Sequence, residues 1–254
     1  MAKRKGPMVS VLAIGDPHDN PTRDKRRFTW MGRHAAQTKP DRIVFIGDTV
    51  CLDSLSTHQE RGSQDDIDRP AYHEELESAD EALSLFHAPI GVGEFRVDHT
   101  WGNHEHRACR AAAAHPKTNG DMPVRLEQVF ARYRWKNHAF GEYTKIAGVD
   151  FVHCPLDIRR REITNETTIK SRQCRSLVMG HTHIAAQLVA VKNGSNEKVQ
   201  VFNLGTSMPY GERAHYVGTA PAPWDYGVWN LLIQDGRIIS WKFFNMLELE
   251  HVYA

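Results

Sequence analysis

The feature that most constrains this chain is a series of short, β-branched apolar runs, each stopping on Gly, Asp, Asn or His. Residues 9–14 run into Gly15-Asp16-Pro17-His18, and residues 42–46 into Gly47-Asp48. Residues 95–101 run into Gly102-Asn103-His104-Glu105, and residues 150–152 into His153. Residues 176–179 run into Gly180-His181-Thr182-His183, and residues 198–202 into Asn203-Leu204-Gly205-Thr206-Ser207. Apolar runs of this length, bounded by glycine, read as buried strands. Helical spacing links several of them: residues 24–37, 79–86 (Ala82, Leu83, Phe86), 124–135 (Leu126, Val129, Phe130, Tyr133) and, more weakly, 164–174. Strands alternating with helices imply a layered α/β fold, in which ligands gather beyond the carboxyl ends of the strands. The last third is richer in strands, at 187–191, 198–202, 227–233 and 238–244, with Asn193-Gly194 and Asp235-Gly236 as hairpin turns.

The 254 residues show no repeat, low-complexity stretch or linker, so one domain over 1–254 is expected. A formal net charge of +1 excludes the global basic field of a general nucleic-acid binder. Charge is nonetheless uneven: residues 60–81 are acid-rich, while 23–33, 107–136 and 159–175 are base-rich. Solvated helix faces account for such runs, and a cationic approach to an anionic substrate is the alternative. Cys51, Cys109, Cys154 and Cys174 are scattered, which is neither a disulfide framework nor a zinc ribbon. The basic start leads directly into the first strand without the apolar segment of a signal peptide, and no run approaches the ~20 residues that span a bilayer. A cytoplasmic location with no membrane partner is expected; oligomeric state is left open.

The strand ends carry the chemistry. Asp16 and His18 are two apart and project to the same side of an extended segment. Asp48 adds a carboxylate, Asn103 an amide oxygen, and His153, His181 and His183 imidazoles. Oxygen and nitrogen donors without a thiolate suit Mn, Fe, Zn, Co or Ni. They outnumber the needs of one tetrahedral ion, whereas two ions sharing a bridging carboxylate use them all. A lone histidine after a strand is more often a packed, hydrogen-bonded residue than a ligand, so the weight rests on the joint order: Gly-Asp-x-His, Gly-Asp, Gly-Asn-His-Glu, His, Gly-His-Thr-His.

That order resembles the calcineurin-like metallophosphoesterase superfamily, over Asp16 to His183, with the 203–207 segment similar to the turn that often follows. The resemblance implies an α/β fold, a four-layer αββα sandwich of two mixed β-sheets flanked by helices, with a dinuclear metal site at the carboxyl ends of the strands. It implies Asp16, His18 and His183 on one divalent metal, Asp48 bridging, and Asn103, His153 and His181 on the second. Mn leads as the metal, with Fe, Zn, Ni or Co as alternatives. It further implies phosphomonoester or phosphodiester hydrolysis by a hydroxide bridging the two metals, with His104 as the catalytic residue beside the scissile phosphate. Asn103, His104 and Arg107 are the expected substrate contacts, and the substrate is a phosphate ester, with nucleotides and nucleic acids among the candidates. A nuclease of the same fold is the alternative function, and a non-catalytic interaction module a third.

The chain departs from the family pattern at two points. Cys51 stands where the second motif often carries Asp, Asn or Glu, with Asp53 as a substitute two residues on, and Cys154 follows His153 in place of glycine. Glu105 is expected to support its loop rather than react. His58, His73 and the rest of residues 52–90 are candidates for a lid or substrate-selecting insert. Tyr216, Trp224 and Tyr226, in residues 210–226, are candidates for stacking on a substrate ring or packing their own loop.

Overall fold

Along the first strand, β1 (Val9–Gly15), apolar side chains sort by parity. Leu12 and Ile14 join one buried cluster and Val11 and Ala13 another, so both faces of the strand are covered. The computed structural model describes residues 6–57, 62–192, 197–212 and 222–254. Its further strands are β2 (Arg42–Ile46), β3 (Val97–Thr100), β4 (Lys136–His138), β5 (Thr144–Ile146), β6 (Val149–Phe151), β7 (Leu177–Met179), β8 (Ala185–Val191), β9 (Lys198–Leu204), β10 (Gly227–Gln234) and β11 (Arg237–Asn245). The helices are α1 (Arg26–Thr38), α2 (Gln64–Ile67), α3 (Tyr72–His87), α4 (His106–Ala114), α5 (Pro116–Asn119), α6 (Met122–Arg132), α7 (Glu166–Arg172) and α8 (Met246–Tyr253).

Two mixed sheets form. One has the order β11-β10-β1-β2-β3-β4 and the other β5-β6-β7-β9-β8. Val11, Ala13, Val44, Ile46, Trp229 and Leu231 of the first sheet pack against Phe151, Val178, Phe202 and Leu204 of the second. On the outer face of the first sheet, Phe28 and Met31 of α1, Leu83 and Phe86 of α3, Phe130 of α6 and Leu249 of α8 cover Leu12, Ile14, Ile43 and Phe45. Ile169 of α7 covers Leu177, Met179 and Val201 on the outer face of the second. The protein is thus an αββα sandwich. Each fully buried Leu, Ile or Phe contributes about 1.5–3 kcal/mol.

The expected strands are all present with ends shifted by up to a few residues. The Asp235-Gly236 turn has positive φ at both residues, as the tight hairpin between β10 and β11 demands. Asn193-Gly194 lies outside the described residues, as do His58 and Tyr216. Within the 52–90 segment, α3 is a core helix whose Tyr72, Leu76, Ala79, Leu83 and Phe86 are buried. It begins earlier than its periodicity alone indicates, with the Glu74 carboxylate accepting from the Ala71 N–H at its start.

Candidate metal centre

Five parallel strand ends meet at one edge of the sandwich. β1, β2 and β3 are parallel neighbours in the first sheet, and β6 and β7 in the second. The loops leaving them are stitched together. His18 N–H donates to Asp48 O (2.8 Å), Asp19 N–H to Thr49 O (2.7 Å), Cys51 N–H to Asp19 O (2.8 Å), and Gly180 N–H to His153 O (3.0 Å). Thr206 Oγ1 donates to Asp16 O and Ser207 Oγ to Gly15 O, so the 203–207 turn buttresses the first loop. The Glu105 carboxylate, fully buried, accepts the N–H groups of Asp48, Thr49, Val50 and Gly102 and so ties the second loop to the third.

The structure brings all seven expected ligands together, in two groups. His18 Nε2 and His183 Nε2 stand 3.0 Å apart, with Asp16 Oδ1 at 3.5 Å from the latter. His153 Nε2, His181 Nδ1 and Asn103 Oδ1 lie 3.0–3.2 Å from one another. Asp48 Oδ2 sits between the groups, 3.8 Å from His18 Nε2 and 3.4 Å from His153 Nε2. That is the place the bridging carboxylate was expected to take. Asp16, His18, Asp48, His153 and His183 are buried, and Asn103 and His181 partly so.

The donor set fits divalent cations on its own chemistry. His153 Nδ1 lies 2.9 Å from Ile46 O, which can only accept, so Nδ1 carries a proton and Nε2 faces the cluster. Burial, followed by the neighbouring His104 and His183, holds His18 well below its ordinary pKa. Burial and then His153 bring His181 down to about 4. Both are therefore neutral imidazoles at pH 7, the ligating form. Burial pushes the Asp48 carboxyl up to about 7 despite the opposing His153. Closely facing lone pairs and carboxylates repel one another, and positive charge between them relieves that repulsion.

The backbone here is held in an unfavourable region. Asp16, His18, Asp48, His181 and His183 all have φ between 45° and 76°. A non-glycine residue in that region costs on the order of 1–2 kcal/mol, and such strain clusters at functional sites. The adjoining glycines answer a different need, close approach. A Cβ on Gly180 would collide with Asp16 Oδ2, and one on Gly102 with Asp48 Oδ1. Gly180→Ala is accordingly expected to displace Asp16 and weaken metal binding by roughly 10-fold or more. Isothermal titration with Mn against wild type checks this, and unchanged affinity would contradict it.

His104 stands over the first group, its ring 4.7 Å from that of His18 and its Nε2 3.8 Å from Asp48 Oδ2. Its backbone N–H donates to Asp48 Oδ1 (2.9 Å). Arg107, expected among the substrate contacts, is buried instead, with its guanidinium on Cys51 O, Leu52 O, Asp53 Oδ1 and the His104 ring. Cys51 Sγ lies 3.8 Å from His18 Nδ1, and burial raises its thiol, keeping it protonated. Cys154 is a small buried side chain. His73 is exposed on α3, away from the centre. Trp224 meets the His183 ring edge-on at 4.3 Å, while Tyr226 packs against Tyr210. Only the aromatic richness of their loop signalled Trp224. The structural roles of Thr206 and Ser207 had no signal beyond the motif turn itself.

Fold and centre together define a class: a two-sheet α/β sandwich with two histidine–carboxylate groups sharing one aspartate at a common strand edge. The fold and the order of the motifs resemble those of the calcineurin-like metallophosphoesterase superfamily. No protein-family model matches it, and no curated protein does. Solved structures do match. Protein TT1561 of Thermus thermophilus is 10% identical over 94% of this chain and 100% of its own, with a TM-score of 0.38. A dimetal phosphatase from Danio rerio is 11% identical over 95% and 100%, with a TM-score of 0.41. The purple acid phosphatase PPD1 from yellow lupin (Lupinus luteus) seeds is 12% identical over 94% of this chain and 54% of its own, with a TM-score of 0.42.

Proposed function

We propose that this protein is a metal-dependent phosphoesterase hydrolysing phosphate mono- or diesters. The observation that carries the reading is the placement of Asp48 Oδ2 within 3.8 Å of both His18 Nε2 and His153 Nε2, with a ligand group on either side. Asp16, His18 and His183 would hold one divalent cation, Asn103, His153 and His181 the second, and Asp48 both. Mn is the first choice and Fe, Zn, Ni or Co the alternatives. When bound, such a pair supplies acidified water and positive charge for a phosphoryl group. The chain's own residues do the rest. Asp16 and Asp48 set the number of negative charges, so the loaded centre stays net positive and favours an anionic ester. His104 is held over the centre with its Nε2 3.8 Å from Asp48 Oδ2, beside the position a bound ester would take.

The test is reconstitution with Mn and assay on p-nitrophenyl phosphate, its bis ester, cyclic nucleotides and DNA. His104→Ala is expected to lower turnover by about 10²–10⁴ while retaining metal. Unchanged turnover would refute the role. A nuclease is the second reading, favoured by His106 stacking on Phe140 at 5.0 Å in the field of Arg110 and Arg160. Turnover that falls steeply with salt on DNA would select it, because phosphate contacts release counterions.

A further inference from the structure

An arginine nitrogen can only donate, a carbonyl can only accept, and a neutral imidazole does one of each. His104 Nδ1 lies 2.7 Å from Cys51 O, so Nδ1 carries the proton. Arg107 Nη2 lies 3.3 Å from His104 Nε2 and must meet a lone pair there. The other arm of the guanidinium, Nη1, donates to Cys51 O (2.9 Å), Leu52 O (3.3 Å) and Asp53 Oδ1 (3.3 Å). Cys51 O is therefore shared by His104 and Arg107. Asp53 is itself anchored: Asn20 Nδ2 donates to its Oδ2 (3.0 Å), and its N–H donates to the buried Glu75 carboxylate. Arg107 is only 5% exposed, so these bonds are shielded from water.

We propose that Arg107 is a positioning residue, oriented by Asp53, which fixes the rotation and the Nδ1–H tautomer of His104. The Cys51 side chain faces His18, so the His104 ring is held by the Cys51 carbonyl on one nitrogen and by Arg107 on the other. The tautomer claim stands on hydrogen bonding alone. Its consequence for turnover rests on the phosphoesterase reading.

Two readouts separate the claims. In the metal-loaded protein, Arg107→Gln is expected to lower kcat on p-nitrophenyl phosphate by about 10–100-fold, with KM changing less than about 3-fold and metal content unchanged. Arg107→Lys and Asp53→Asn should fall between it and wild type. In a His104→Ala background, Arg107→Gln should cost less than about 2-fold further. A raised KM at constant kcat, or full additivity with His104→Ala, would make Arg107 a direct phosphate contact and overturn the proposal. The second readout is nitrogen NMR of the metal-free protein, with His104 assigned by its loss in His104→Ala. The expected spectrum has a protonated Nδ1 and a bare Nε2, shifting towards mixed tautomers in Arg107→Gln. A proton on Nε2 in wild type would overturn the proposal. Should no ester be turned over, the functional reading fails while this spectrum still decides the tautomer claim.

Discussion

Asp48→Asn is expected to abolish binding of the metal pair and to lower turnover by more than about 10³-fold. Asp48 Oδ2 lies 3.8 Å from His18 Nε2 and 3.4 Å from His153 Nε2, between the two ligand groups, while Oδ1 accepts from the His104 N–H. Asparagine keeps that second bond and removes the charge both cations share, so its effect isolates bridging from folding. Stability of the metal-free protein supplies the control. The folded Asp48 carboxyl sits raised at about 7, well above its unfolded value. Its proton is bound more tightly in the folded state, so ionisation erodes metal-free stability as pH rises from about 4 through 7. Metal-free Asp48→Asn lacks that loss, and its advantage over wild type should grow across this window. Metal content by mass spectrometry and thermal melts with and without Mn measure both effects. Two bound ions per chain in the variant, or a melt as responsive to Mn as wild type, would contradict the bridge.

Glu105→Ala is expected to be the most disruptive substitution for the fold at the centre. Its carboxylate takes four backbone N–H groups from two loops at 2.7–3.1 Å. Removing it strands those donors where no water reaches, at about 1–3 kcal/mol for an unsatisfied buried group. Partial relaxation brings the expected loss to roughly 3–5 kcal/mol. Glu105→Gln keeps two of the acceptor positions and should lose about half as much. Urea unfolding of the metal-free variants gives the comparison, and a loss below about 1 kcal/mol for alanine would show that the loops hold themselves. This is the role that separates Glu105 from its neighbours in Gly-Asn-His-Glu: its carboxylate is spent on backbone N–H groups and holds the Asp48 loop in place.

The layered α/β organisation was legible because buried strands leave uninterrupted apolar runs, and each run here ends where a loop must turn; the two-sheet sandwich was implied by the family resemblance. The seven candidate ligands were legible because each lies within a few residues of the end of such a run. Elements with weaker signatures escaped. β4 and β5 are three-residue strands that alternate too briefly to register, and β4 carries the polar Lys136-Asn137-His138. α4 is built of alanine and basic residues with only Arg107 and Ala108 buried, so its sequence shows no apolar stripe. Arg107 illustrates the remaining gap. A basic residue just after a motif histidine reads from sequence as a phosphate contact, yet the turn at 52–55 brings Asp53 and two carbonyls to it. Such side-chain-to-carbonyl pairing between residues so far apart in the chain has no local pattern. Trp224 against His183 is likewise a meeting of distant loops.

A crystal grown with excess Mn, with diffraction collected on both sides of the Mn absorption edge, tests the centre most directly. Two anomalous peaks about 4 Å apart are expected, one among Asp16, His18 and His183, the other among Asn103, His153 and His181, with Asp48 touching both. One peak alone, or none among these side chains, would contradict the dinuclear centre.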